Sequence, residues 1–317
     1  MKSSKNKVLV TGGLGYVGSL LVAKLARQGY QVSVLDTGWF GNWLDSSLEI
    51  TYIQGNILEI ESLKLPKVDF VIHLANIAND PSVELNENFS WEVNTLGTQL
   101  LLNWCKTTKI ERFIYASSGS VYGISSDEDV NENSNLNPIS VYNKTKMVAE
   151  KVVKSFSDDF QICIVRPGTV CGYSPRMRLD LTINAMTFSG LNQKVIKVDG
   201  GNQVRPHVHI DDLVEAYIFL LEGPAEFTIV NIGFENLTVL EAAMKIREIT
   251  KADIQLVNSI DPRSYFLNSS KLISLGFKPK FSVNHAIMDL VDKYNTGLLI
   301  EREQWYTVPT LKKILAK

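Results

Sequence analysis

Short apolar runs alternate with longer amphipathic stretches through the first half of the chain. Val8–Val10, Gln31–Leu35, Thr51–Gln54, Phe70–His73, Arg112–Ala116 and Ile162–Val165 are short, mostly β-branched or aromatic, and bounded by turn residues, so they predict strands. Between them, Gly15–Gln28, Asn86–Thr107 and Tyr142–Ser155 carry helical spacing. In the first of these, Leu20, Leu21, Ala23, Leu25 and Ala26 supply the apolar face. Strands alternating with helices predict an α/β fold built on a doubly wound parallel sheet, with strands apolar enough to be buried on both faces. After Pro167 the rhythm loosens. Gly172, Pro175, Gly190, Gly200-Gly201 and Pro206 punctuate shorter elements, which suggests a smaller C-terminal region packed against the sheet.

Composition narrows the function classes. Of 317 residues, 45% are apolar and 21% charged, enough for a sizeable core without disulfide or metal staples. With 32 basic and 34 acidic side chains and no basic run, a nucleic-acid partner is not expected. Cys105, Cys163 and Cys171 form no CxxC pair, and an odd count excludes a complete disulfide framework. A reduced, cytoplasmic setting is expected. The four histidines show no ligand spacing, so no metal is expected, and His207 and His209 are read as structural. The apolar run after the polar N-terminus is too short for a signal peptide, and no run suits a membrane span, so no membrane association is expected.

The first chemical motif is Thr11-Gly-Gly-Leu-Gly-Tyr-Val-Gly18, between a strand and a helix. Gly12, Gly15 and Gly18 suit a tight turn, close approach of backbone to a diphosphate, and close helix–strand packing. The helix start around Tyr16 and Val17 offers free N–H groups. Asp36 ends the next strand, where a carboxylate accepts hydrogen bonds from the adenosine ribose and repels a 2′-phosphate. This is a Rossmann-type pattern, and it favours NAD over NADP.

The second is Tyr142-Asn-Lys-Thr-Lys146, which puts Tyr142 and Lys146 on one face of a helix. Ser117-Ser118-Gly-Ser120 closes the preceding strand. Tyrosine is a poor base at neutral pH, but a neighbouring ammonium and the positive nicotinamide ring favour its phenolate. Tyr142 would then take a proton from a sugar hydroxyl while Ser118 holds the same oxygen.

These residues, with Gly55-Asn-Ile57, Val71-Ile-His-Leu-Ala75, Ser117-Ser-Gly-Ser-Val-Tyr-Gly123, Arg166-Pro-Gly168 and Arg205-Pro-His-Val-His-Ile-Asp-Asp212, run over nearly the whole chain. They resemble the extended short-chain dehydrogenase/reductases, in particular the nucleotide-sugar epimerase/dehydratase group that includes UDP-galactose 4-epimerase. The resemblance implies Tyr142, Lys146 and Ser118 as catalytic residues. It implies Asn56 and Ile57 at the adenine, Leu74, Ala75 and Asn76 along the cofactor, and Pro167 by the nicotinamide. Arg205 and Arg263 would hold a nucleotide diphosphate, with Arg178 and Asn184 as further candidates and Thr169 as a sugar contact. The segment 174–181, Ser-Pro-Arg-Met-Arg-Leu-Asp-Leu, would sit over the substrate, and it resembles a subgroup that includes a GDP-heptose 4-dehydrogenase. The NAD-binding domain is assigned to 1–170 with a returning segment near 205–233. The smaller substrate-binding domain takes 171–204 and 234–317. A homodimer is implied, formed through the Asn86–Thr107 and Tyr142 helices.

The partner expected is therefore a nucleotide-diphosphate sugar, and the cofactor NAD. In the dehydratase branch Asp-Glu follows the catalytic Ser/Thr; here Gly119 and Ser120 do, which disfavours dehydration. Epimerisation at C4 through a 4-keto intermediate is the leading expectation. A net 4-dehydrogenase or ketoreductase is the alternative, and a non-catalytic NAD-binding scaffold stands as a reading of a different class.

Overall fold

The computed structural model describes residues 6–125, 129–223, 228–257 and 264–316. Twelve strands are found among them: β1 (Lys7–Thr11), β2 (Gln31–Asp36), β3 (Ile50–Gln54), β4 (Phe70–His73), β5 (Arg112–Ala116), β6 (Gln161–Pro167), β7 (Thr169–Cys171), β8 (Val195–Asp199), β9 (Val204–His209), β10 (Thr228–Ile232), β11 (Glu235–Thr238) and β12 (Asp253–Val257). Seven form one sheet in the order β10-β6-β5-β4-β1-β2-β3, with every pairing parallel. The doubly wound sheet is thus present, and strand order reverses at β1, between β2 and β4.

Alternation along β1 explains why the sheet is apolar on both sides. Val8 and Val10 join a core with Leu21, Leu25 and Val214. Leu9 joins another with Leu35, Val71 and Phe113. All of these side chains are buried, and each buried aliphatic contributes roughly 1.5–3 kcal/mol. Thr11 and His73 are register partners, and their side chains bond at 2.6 Å, tying β1 to β4 where the cleft opens.

The Asn86–Thr107 helix is interrupted. Glu87–Trp91 is α-helical, Glu92–Leu96 is a π turn, and Gly97–Thr108 is α-helical again. Asn94, in the π turn, bonds Ile77 N at 2.7 Å, Ile77 O at 3.1 Å and Thr145 Oγ1 at 3.1 Å. The widened turn lets its amide serve a loop of the cleft, a common use of π-bulges.

The remaining strands make two small sheets, β11-β9-β7 and β12-β8. Helices Thr182–Asn192, Val239–Thr250 and Val283–Asn295 pack there around Ile183, Val198, Ile246 and Ile287. β7 follows β6 after one residue, so the smaller region joins the large sheet at the carboxyl end of β6.

Candidate active site

A cleft of about 490 Å³ lies along the carboxyl ends of β1, β2, β4, β5 and β6, where open α/β sheets bind ligands. One half is the glycine turn. Gly12 adopts φ +73°, and a Cβ there would come within 2.6 Å of Ala75 N. A Cβ on Gly18 would lie 2.3 Å from Gly12 O, so the helix Tyr16–Arg27 approaches the strand more closely than any side chain allows. Gly15 caps that helix without a side-chain bond, leaving its first N–H groups directed at the cleft end. Asp36 accepts from Leu14 N at 3.0 Å and Gly38 N at 2.9 Å. Burial raises its pKa, and these N–H groups oppose the rise. Asn56 accepts from Leu58 N and starts a short turn, with Ile57 beside it on the wall. Leu74 and Ala75 line the same half. Asn76 donates to Leu74 O at 2.7 Å, while its Oδ1 is buried without a partner.

The other half carries the candidate acid–base residues. Ser118 ends the β5 segment and caps the turn Gly119–Tyr122, with its Oγ 2.7 Å from Ser120 Oγ. Ser140 caps the helix Val141–Lys154, setting Tyr142 in its first turn and Lys146 one turn later. Both line the cleft. Burial pushes the Tyr142 phenol up to about 12. Arg178 pulls it down, Asp80 pushes it up, and the Ser118 hydroxyl bonded to it lowers it. Burial brings Lys146 down to about 7, against the opposing charge of Glu150. Lys146 Nζ donates to Ala116 O at 2.8 Å. The sequence expectation made Lys146 the cation that favours the phenolate. In the structure Arg178 also lowers the Tyr142 pKa, and Lys146, one turn from Tyr142 in the same cleft, uses one of its N–H groups on the strand end.

Beneath Ser118 lies a buried network. Glu150 accepts from Ser117 Oγ and takes both Arg166 Nε at 2.9 Å and Arg166 Nη2 at 2.6 Å. Arg166 Nη1 meets the Tyr122 hydroxyl at 2.8 Å, and that hydroxyl donates to Asn231 at 2.8 Å. Every one of these groups is satisfied, which holds the strand ends that carry Ser118 and Pro167 in place.

Pro167, Thr169, Arg178 and Arg205 also line the cleft. Arg178 pairs with Asp180, Nε to Oδ1 at 2.9 Å. Asn184 is placed behind the wall: it accepts from Gly172 N at 3.0 Å and donates to the Tyr16 hydroxyl at 3.0 Å and Arg178 O at 3.1 Å. Arg263 lies outside the described residues. Sequence reasoning passed over Phe40, Asp80, Arg176, Asp180 and Tyr265, all on the wall. The segment 174–181 hinted at Arg176 and Asp180, but loop reach hid the rest. Among the described residues no cluster of three or more His, Cys, Asp or Glu could hold a metal, and no helix is long and apolar enough to cross a membrane.

Comparison with known proteins fits this geometry. The model of the NAD dependent epimerase/dehydratase family matches residues 8–233. A dTDP-D-glucose 4,6-dehydratase of Dictyostelium discoideum is 31% identical over 77% of the chain, which spans 62% of that protein's length. A UDP-glucose 4-epimerase of Lactobacillus helveticus is 29% identical, covering 86% of this chain and 92% of that one. The solved structure of MoeE5 in complex with UDP-glucuronic acid and NAD superposes with a TM-score of 0.82 at 26% identity, over 92% of this chain and 100% of that chain.

Proposed function

The chain belongs to the NAD dependent epimerase/dehydratase family, and from that premise we propose that it epimerises a nucleotide-linked sugar at C4 through a transient 4-keto intermediate. It is an enzyme of the NAD-dependent epimerase/dehydrogenase kind, and NAD is its cofactor. The residues fit that cofactor: a turn that excludes any Cβ at Gly12, the Asp36 carboxylate, and the unpartnered Asn76 Oδ1.

The observation that carries the reading is what surrounds Ser118. Dehydration needs a further acid to protonate the departing hydroxyl. Gly119 and Ser120 follow Ser118, and neither supplies one. A Cβ at position 119 would stand 3.2 Å from Pro167 O and 3.4 Å from the Tyr265 hydroxyl, so a side chain there would be tightly placed. The carboxylates elsewhere on the wall are engaged: Asp36 by Leu14 and Gly38, Asp80 by Ser140, Asp180 by Arg178.

In this reading Tyr142 takes the proton of the C4 hydroxyl while Ser118 holds the same oxygen. Bound NAD would supply the hydride acceptor and donor for this step. Tyr142 keeps the proton through the ketone stage and gives it back to the oxygen of the inverted centre, so the cycle is redox-neutral. Burial holds the Tyr142 pKa up, so the phenolate that takes the proton depends on the cations that oppose it, Arg178 and the nicotinamide ring of bound NAD. Arg205 and Thr169 are assigned to the diphosphate and sugar, on their place along the wall. The Pro175-Arg-Met-Arg178 segment supports a second reading, a net 4-dehydrogenase or ketoreductase.

The test is the near-ultraviolet absorbance of reduced nicotinamide with a panel of nucleotide sugars, followed by product analysis. Epimerised sugar with absorbance saturating below one equivalent per subunit supports the proposal. Growth past one equivalent, with oxidised sugar alone, overturns it in favour of a dehydrogenase. A 4-keto-6-deoxy product overturns the argument from Gly119.

A further inference from the structure

Arg176 and Arg178 lie two residues apart on the segment after β7, yet they serve different halves of the cleft. Arg178 pairs with Asp180 and acts on Tyr142. Arg176 is 3% exposed and its guanidinium lies over the Phe40 ring, 4.2 Å from the centroid. Its electrostatic neighbours are Arg178 and Asp180 on its own segment, then Asp36 at the adenosine end and Tyr16 at the start of the helix after the glycine turn. Its Nε is buried without a hydrogen-bond partner, and among the described residues no carboxylate lies within salt-bridge distance. Asp36 acts on it through space only, its two oxygens accepting backbone N–H groups of Leu14 and Gly38.

A buried guanidinium without an ion pair is strongly disfavoured unless an anion joins it. Burial, with Arg178 adding to it, already depresses its pKa to about 9. The same cleft is lined by the start of the Tyr16–Arg27 helix, whose free N–H groups favour an anion. We propose that Arg176 binds the diphosphate of NAD from the side of the smaller region, opposite the glycine turn, so that release of the cofactor requires the 174–181 segment to move. The proposal rests on the assignment of this cleft to NAD and is independent of the C4 chemistry.

The test uses binding, not turnover. Dissociation constants for NAD, ADP and adenosine are measured by calorimetry on the wild-type chain, Arg176→Met and Arg176→Lys. Arg176→Met is expected to weaken NAD and ADP at least about tenfold, the size of one charged contact. It should leave adenosine within about twofold and speed NAD dissociation; Arg176→Lys should fall between. Equal losses for ADP and adenosine would show that Arg176 packs the adenosine end only, and the proposal fails. Unchanged ADP affinity also overturns it. Should Arg176→Met not fold, Arg176→Lys decides by the same comparison. A wild-type chain that binds none of these nucleotides sinks the cofactor assignment and this proposal with it.

Discussion

Lys146 Nζ donates to the Ala116 carbonyl oxygen at 2.8 Å, fastening the helix that presents Tyr142 to the end of the strand that presents Ser118. The bond sets the two groups proposed for catalysis on one frame. It also explains why a lysine is tolerated at 2% exposure.

Replacing this lysine is expected to show in activity and in stability. Lys146→Met should lower kcat about 100-fold or more, as loss of an acid–base partner does. Its pH signature has a definite sign. Burial lowers the folded pKa to about 7 from 10.5, so between those values the unfolded chain binds more protons than the native one. Wild-type stability therefore gains with rising pH through that window, and the penalty is fully present below pH 7. The wild-type Tm should rise more from pH 7 to 9 than that of Lys146→Met. Parallel Tm profiles would contradict a neutralised Lys146.

Arg178 lowers the Tyr142 pKa, and Asp80 raises it. Arg178→Met removes the favourable charge and also leaves Asp180 unpaired, which adds an uncompensated negative charge nearby. Both changes disfavour the phenolate. The limb of the pH–kcat/KM profile that reports Tyr142 ionisation should move to higher pH. Tyr142→Phe should abolish sugar turnover while NAD binding stays close to wild type. A limb that stayed in place in Arg178→Met would mean that the cation set by the structure has no hold on the phenol.

The Glu150–Arg166 pair is buried on both sides, at 5% and 4% side-chain exposure. Glu150→Leu strands the guanidinium and takes the partner from Ser117. A loss of about 3–5 kcal/mol in urea unfolding is expected, the cost of a buried charge left alone. A loss below about 1 kcal/mol would mean that water enters the site and screens Arg166.

The large sheet was legible because its strands are apolar on both faces, so Val8–Val10 or Phe70–His73 admit no other reading. The glycine turn and the Tyr142–Lys146 spacing were legible because they are local. The π turn at Glu92–Leu96 was not: it follows from Asn94 reaching Ile77, seventeen residues away in sequence. Nor was the division of labour between Arg176 and Arg178. Two arginines spaced as i and i+2 look alike in a sequence, and the neighbours that separate them, Phe40 and Asp180, come from different elements. The π turn and the arginines share a cause: side chains whose partners are set by tertiary packing leave no periodic trace.

Asn184 offers the sharpest separation of support from contact. Resemblance made it a candidate for the diphosphate, but the structure gives it three protein partners and no exposure. It fixes Gly172, where the chain turns at φ +114°, and the hydroxyl of Tyr16, which itself donates to Gly172 O at 2.6 Å. Asn184→Leu fills the space yet leaves the Gly172 N–H and the Arg178 carbonyl without a partner, so a stability loss of about 1–3 kcal/mol is expected. The bond at Arg178 O also anchors the segment that bears Arg176 and Arg178. Its loss should therefore weaken NAD and sugar together, and by less than about tenfold each. A variant of wild-type stability whose sugar KM alone rose tenfold or more would return Asn184 to the substrate.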